Sequence, residues 1–105
     1  MKEQEWVNQI NQENGGSYIL RLYVTGASPK SIRAVENIQA FCEKHLKNNY
    51  HLEIIDVYQQ PTIAEQEQII ALPLLIKKGP GAERRFVGDM SDTEKLLRNF
   101  SITTL

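Results

Sequence analysis

Between Tyr18 and Thr25 the chain reads Tyr-Ile-Leu-Arg-Leu-Tyr-Val-Thr, a run of β-branched, aromatic and large apolar residues broken by Gly26 and followed at once by Ser28-Pro29. No other stretch narrows the possible folds as much. Tyr18, Leu20, Leu22 and Val24 alternate onto one face, as a strand with a buried side requires. Ser28 is a natural N-cap, and Pro29 stands at the first helical position, where its missing N–H is no loss. Beyond it Ile32, Val35, Ile38, Phe41, Cys42 and Leu46 recur at steps of three and four, which predicts an amphipathic helix ending near Asn48-Asn49. On this helix Cys42 is a small core-facing hydrophobe.

A second strand is predicted over His51 to Val57, where Leu52, Ile54, Ile55 and Val57 are interrupted by few charges. Strand, helix and strand in this order imply a parallel crossover. Pro61 opens a short helical segment expected to run to about Ile70, stopped by Pro73. Leu74-Leu75-Ile76 form a short apolar strand, Gly79-Pro80-Gly81 a turn, and Arg84 to Val87 the strand that pairs back. The last helix opens on Ser91-Asp92-Thr93-Glu94, which has the spacing of a capping box, and Leu96, Leu97 and Phe100 supply its apolar stripe. The order β-α-β-α-β-β-α is a thioredoxin-like α/β arrangement. It is assigned to residues 18–105, with residues 1–17 as an N-terminal extension. Trp6, Val7 and Ile10 would give that extension a short, loosely held helix; an unstructured segment fits three apolar residues equally well.

A length of 105 residues suits one domain with a modest core. Twelve basic and thirteen acidic side chains are spread along the chain for a net charge of −1, which is no footprint for a phosphate backbone and argues against nucleic acid. No apolar run approaches the roughly 20 residues needed to span a bilayer, and the polar first residues do not resemble a signal peptide, so a cytoplasmic protein is expected. A single cysteine excludes an internal disulfide, and without a His/Cys cluster no metal site is expected.

In a thioredoxin-like domain a redox pair would occupy the junction of the first strand and first helix, where the helix N-terminus stabilises a thiolate. This chain has Ser28-Pro29-Lys30-Ser31 there. Two hydroxyls cannot exchange disulfides, and neither is a nucleophile without a base. The two histidines, His45 and His51, flank the far end of a helix roughly 25 Å long at about 1.5 Å per residue and are read as solvated loop residues. Gly15-Gly16 and Gly79-Pro80-Gly81 lack the Lys-Ser/Thr and helix of a phosphate loop and are read as turns. No catalytic residue, cofactor or metal is assigned. The only local basic concentration, Lys77, Lys78, Arg84 and Arg85, is read as a solvated hairpin face or as a contact surface for an acidic partner.

Three segments carry a family resemblance. Tyr18 to Val24 with Thr25-Gly26-Ala27-Ser28-Pro29-Lys30-Ser31-Ile32-Arg33-Ala34 closely resembles the opening strand, glycine turn and helix start of KaiB proteins. Ile55-Asp56-Val57 with Pro61 and Ala64-Glu65, and then Arg84 to Asp92, resemble two further KaiB signatures, so about residues 18–95 are covered in register. The resemblance implies a non-enzymatic protein that docks on a KaiC-type ATPase ring, with KaiA or a histidine kinase as further partners. It also implies fold switching: a ground-state homo-oligomer, tetramer or dimer, with a rearranged second half, and a thioredoxin-like monomer that binds. Two such packings must lie within a few kcal/mol of each other. The alternative is a sensory or adaptor module of a two-component system.

Carried over residue by residue, Tyr18, Arg33, Arg84 and Arg85 match the family's strand tyrosine and basic residues and are the expected partner-binding set. The departures are equally specific. Family lysines that face KaiC are matched by Glu53 and Gln68, threonines around the second proline by Leu72 and Leu74, and a glycine and aspartate near the end by Asn99 and Ser101. The acidic tail of clock members is absent. These changes point to a divergent KaiB paralogue, in a clock or in stress signalling.

Overall fold

The β-formers at the start of the domain build β1 (Tyr18–Val24), and the chain leaves it at Gly26, whose φ of +53° is the left-handed turn that glycine makes without strain. The computed structural model describes residues 17–69 and 71–100. The expected helix or coil of the N-terminal extension therefore lies, Ser17 apart, outside the described residues. Ser17 Oγ donates to Asn49 Oδ1 at 3.1 Å and the Tyr18 N–H to the Asn49 carbonyl at 3.0 Å, which ties the start of the domain to the loop that follows the first helix.

That helix is α1 (Pro29–His45). Ser28 caps it as expected, accepting from the Ser31 N–H at 3.2 Å, with Pro29 in the first turn. It ends a turn earlier than the spacing predicts: Leu46 is the C-cap, and Asn48 takes a positive φ. Ala34, Ile38, Phe41 and Cys42 are buried, whereas Ile32, expected in the stripe, is 48% exposed. Ala34 takes its place because the buried arc begins on the next residue pair round the helix.

β2 (Tyr50–Asp56) runs parallel to β1 from Tyr18↔Tyr50 to Val24↔Asp56. After α2 (Pro61–Gln66), β3 (Leu74–Gly79) returns antiparallel to β1, and β4 (Arg84–Val87) pairs antiparallel to β3. The sheet order is β2-β1-β3-β4, and α3 (Thr93–Asn99) closes the order expected from the sequence. α2 stops at Gln66, short of the predicted Ile70, which lies outside the described residues. Gln68 at φ +56° reverses the chain before Pro73 can act as a stop. The capping box at α3 also shifts: Asp92, not Ser91, is the N-cap, and its carboxylate accepts the Lys95 N–H at 3.1 Å. Aspartate caps as well as serine does, and the one-residue shift brings Leu96 and Phe100 onto the sheet.

The two faces of the sheet are unequal. Against one, α1 and α3 bury Leu20, Leu22, Val24, Ile38, Phe41, Cys42, Leu75, Leu96 and Phe100 in a continuous core. On the other, Tyr23, Ile55, Leu74 and Ile76 form a small cluster, with Ile63 of α2 packed against it only partly buried. α2 itself contributes no fully buried residue. Among the described residues no helix is long and apolar enough to cross a membrane.

Cys42 is fully buried, and desolvation pushes its thiol up to about 12. Iodoacetamide at pH 8 should therefore label Cys42 of the native protein about a hundredfold more slowly than that of the urea-unfolded chain. Equal labelling rates would contradict the packing of α1.

Candidate functional site

The junction of β1 and α1, where redox chemistry would sit, is filled by hydroxyls committed to structure. Ser28 Oγ donates to Ser31 Oγ at 2.9 Å, and Ser31 Oγ accepts the Thr25 N–H at 3.1 Å while only 1% exposed. Thr25 Oγ1 lies 3.4 Å from both serine oxygens. Neither histidine is near. His45 belongs to the last turn of α1 and His51 to β2, so both lie on regular elements and not in the expected loop. The His45 ring packs on Phe41 with centroids 4.8 Å apart. Among the described residues no group of three His, Cys, Asp or Glu side chains could hold a metal.

The four residues expected to meet a partner do not form one patch. Arg33 stands on the first half of α1, 57% exposed at its side chain, with Nε 3.7 Å from Asp89 Oδ2. Asp89 is held in place from both sides. Its carbonyl accepts from Asn37 Nδ2 at 2.8 Å, and its Oδ1 accepts the Ser91 N–H at 3.1 Å. Hydrogen bonds from Ser91 lower the Asp89 pKa, helped by the charges of Arg33 and Lys30.

The hairpin cations split by strand parity, which corrects their reading as one solvated face. Lys77 and Arg84 are register partners on the side of α1 and α3, and Lys77 is only 6% exposed. Lys78 and Arg85 point to the α2 side. There Lys78 Nζ lies 2.8 Å from Glu67 Oε1 and 3.6 Å from Glu83 Oε1. Arg85 donates to the Glu67 carbonyl at 2.9 Å, and its guanidinium lies 3.5 Å from a carboxylate oxygen of both Glu67 and Glu83. Glu67, the C-cap of α2, is thus clamped to the hairpin by two cations.

Tyr18 meets α3: its hydroxyl donates to the Phe100 carbonyl at 3.3 Å, and the two rings stack with centroids 5.7 Å apart. Tyr18 and Arg84 line one hollow at this end of the sheet, whereas Arg33 and Arg85 stand elsewhere.

Sequence reasoning missed three features. Lys77 turns inward, although it shares parity with Leu75 and so belongs to the buried face. Glu67 bridges 18 residues to Arg85, for which no local pattern exists. Glu53, flagged for reversing a family charge, is the register partner of Arg21 and lies 3.1 Å from its Nε. Arg21 is 7% exposed, and it offsets the burial that pushes the Tyr23 phenol up.

Comparison with known proteins puts a family beside this geometry. The family model of the KaiB domain matches residues 21–102. The circadian clock protein KaiB3 of Synechocystis sp. is 48% identical over 84 residues, covering 80% of this chain and 82% of that protein. The circadian clock oscillator protein KaiB of Prochlorococcus marinus is 46% identical over 81 residues, 77% of each chain. Among solved structures, the N-terminal domain of Synechococcus elongatus SasA is 26% identical with a TM-score of 0.59, over 81% of this chain and 84% of that one. Fasciola hepatica thioredoxin, at 18% identity, superposes with a TM-score of 0.69 over 93% and 91% of the two chains. At that identity the thioredoxin match speaks for the fold alone, and the thioredoxin-like class expected from the element order is the one found.

Two measurements check the electrostatics. Glu67→Gln should cost about 1–2 kcal/mol in urea unfolding, because Lys78 keeps only the longer contact to Glu83, and should speed amide exchange in residues 61–69. Ser91→Ala should raise the Asp89 pKa in an NMR titration. With the folded pKa depressed, the carboxylate adds stability above its unfolded value of about 3.9, and this is lost as pH falls through the folded value. An unchanged titration would remove the Ser91 hydroxyl as the cause, since the Ser91 N–H bond to Oδ1 survives the substitution.

Proposed function

Because the chain belongs to the KaiB family of circadian clock proteins, we propose that it works without chemistry of its own, docking in the cytoplasm on a KaiC-type ATPase ring. One observation carries the reading. The hydroxyls at the helix tip are used up in capping and in one another, while the guanidinium groups of Arg33 and Arg84 remain at the surface. Tyr18, Arg33, Arg84 and Arg85 are the proposed contact residues, with Arg84 the strongest. It is exposed, and unlike Arg33 and Arg85 it has no carboxylate within ion-pair distance among the described residues. Such a group steers an acidic partner and sets register.

Fold switching of the second half belongs to the same proposal. What supports it is the thinness of the α2 face: a six-residue helix without a side-chain cap or a fully buried residue, held chiefly through Glu67. A segment with so little buried area has a low opening free energy. The partner-free protein is then a dimer or tetramer with a rearranged second half, and the arrangement described above is the one that docks. Residues 1–17 are the extension to this domain. A second reading, an adaptor module of a two-component system, draws on the likeness to SasA, where this fold stands as the N-terminal domain of a larger protein.

Co-elution with a KaiC-type ring on size exclusion, in ATP and ADP states, tests the proposal, and failure to bind in every nucleotide state would end it. Arg84→Glu is expected to weaken docking about tenfold or more, equivalent to about 1.4 kcal/mol, with an unchanged circular dichroism spectrum. Wild-type affinity in that variant would mean that the hairpin is not part of the contact.

A further inference from the structure

At the end of the sheet where β1 begins and β3 ends, a hollow of about 330 Å³ is lined by Tyr18, Lys77, Gly81, Arg84, Asn99 and Phe100, among others. Lys77 and Arg84 stand directly opposite each other across the β3–β4 pair. Like charges in that position repel, and cross-strand partners have Cβ atoms only about 5 Å apart. Lys77 is also 94% buried, so its ammonium has lost most of its water. Its Nζ donates to the carbonyls of Pro80 at 2.6 Å and Ala82 at 3.1 Å, which orient the ammonium without neutralising it and leave one N–H unspent. Burial and the Arg84 charge accordingly lower the Lys77 pKa. No aspartate or glutamate lines the hollow among the described residues. By contrast, the cations Lys78 and Arg85 on the other face share Glu67 and Glu83.

A paired site with two cations and no counter-charge is built for an anion, and its two charges match a dianion best. We propose that this hollow binds the dianionic phosphate group of a small phosphate monoester, held by Lys77 and Arg84, with the organic part against the Tyr18 and Phe100 rings. The planar guanidinium of Arg84 supplies a fork that fits a phosphate, and Lys77 a point charge. The aromatic wall is in place without ligand, since Tyr18 is stacked on Phe100 and hydrogen-bonded to its carbonyl. The volume is at the lower end for small-molecule pockets, about 300–1,000 Å³, which sets the size class.

The probes are phenyl phosphate, inorganic phosphate and phenol, each titrated at pH 7.5 and constant ionic strength into the monomeric, thioredoxin-like form of the full-length protein, isolated by size exclusion and checked by the amide spectrum of β3 and β4, and followed by amide NMR. Phenyl phosphate should give saturable shifts centred on Gly81, Ala82 and Asn99, and bind more tightly than inorganic phosphate, with phenol weakest. Arg84→Gln, a surface change that leaves the core untouched, should weaken phenyl phosphate at least tenfold, and Arg33→Gln, on another face, should leave it unchanged. Shifts that do not saturate, that are the same in Arg84→Gln, or that phenol reproduces at equal affinity would overturn the proposal.

Discussion

Everything in the domain is arranged around the burial of β1. It is hydrogen-bonded on both sides, parallel to β2 and antiparallel to β3, and six of its seven residues are buried. A strand in that position cannot shift register by one residue without exchanging Leu20, Leu22 and Val24 for Ile19, Arg21 and Tyr23 on the main core. The alternation therefore fixes which face receives α1 and α3 and which receives α2. Arg21 is the one charge the strand takes inward, and it is tolerated because Glu53 lies across from it on β2.

The division of labour between the two faces follows. On the α1 and α3 side, Leu20, Leu22 and Val24 meet long apolar stripes, and the aromatic rings of Tyr18, Phe41 and Phe100 interlock, with Phe41 and Phe100 edge to face at 5.3 Å. On the α2 side a smaller apolar cluster is supplemented by ion pairs through Glu67. Apolar burial is non-directional and is not screened by salt, whereas partly exposed ion pairs weaken with salt. The two faces of the sheet therefore respond differently to the same change of medium.

What could be read from the residues was whatever is decided locally. The β1 alternation, the Ser28-Pro29 start of α1 and the inward Cys42 rest on neighbours within one or two turns, and the structure has them where the pattern puts them. Misses occur where distant groups decide. α2 stops at Gln66 because the chain must turn at Gln68 for Glu67 to meet Lys78 and Arg85, a contact no helical pattern contains. The start of α3 moves to Asp92 because two residues compete to cap, and packing of Leu96 chooses between them. Of the four expected contact residues, sequence matching could name each, but only the sheet reveals that Tyr18 and Arg84 share a hollow while Arg85 faces the other way.

The clamp on Glu67 makes Arg85 an unusual surface cation. Its guanidinium is already satisfied by a backbone carbonyl and two carboxylates of its own chain. An incoming acidic group gains only the difference between its own geometry and theirs, so a loosely placed carboxylate gains nothing. A well-placed one also removes one of the two cations that hold Glu67 and so loosens the end of α2, and by reciprocity anything that loosens that end makes Arg85 more receptive. Engaged in this way, Arg85 offers an acidic group a smaller net gain than an unengaged arginine does.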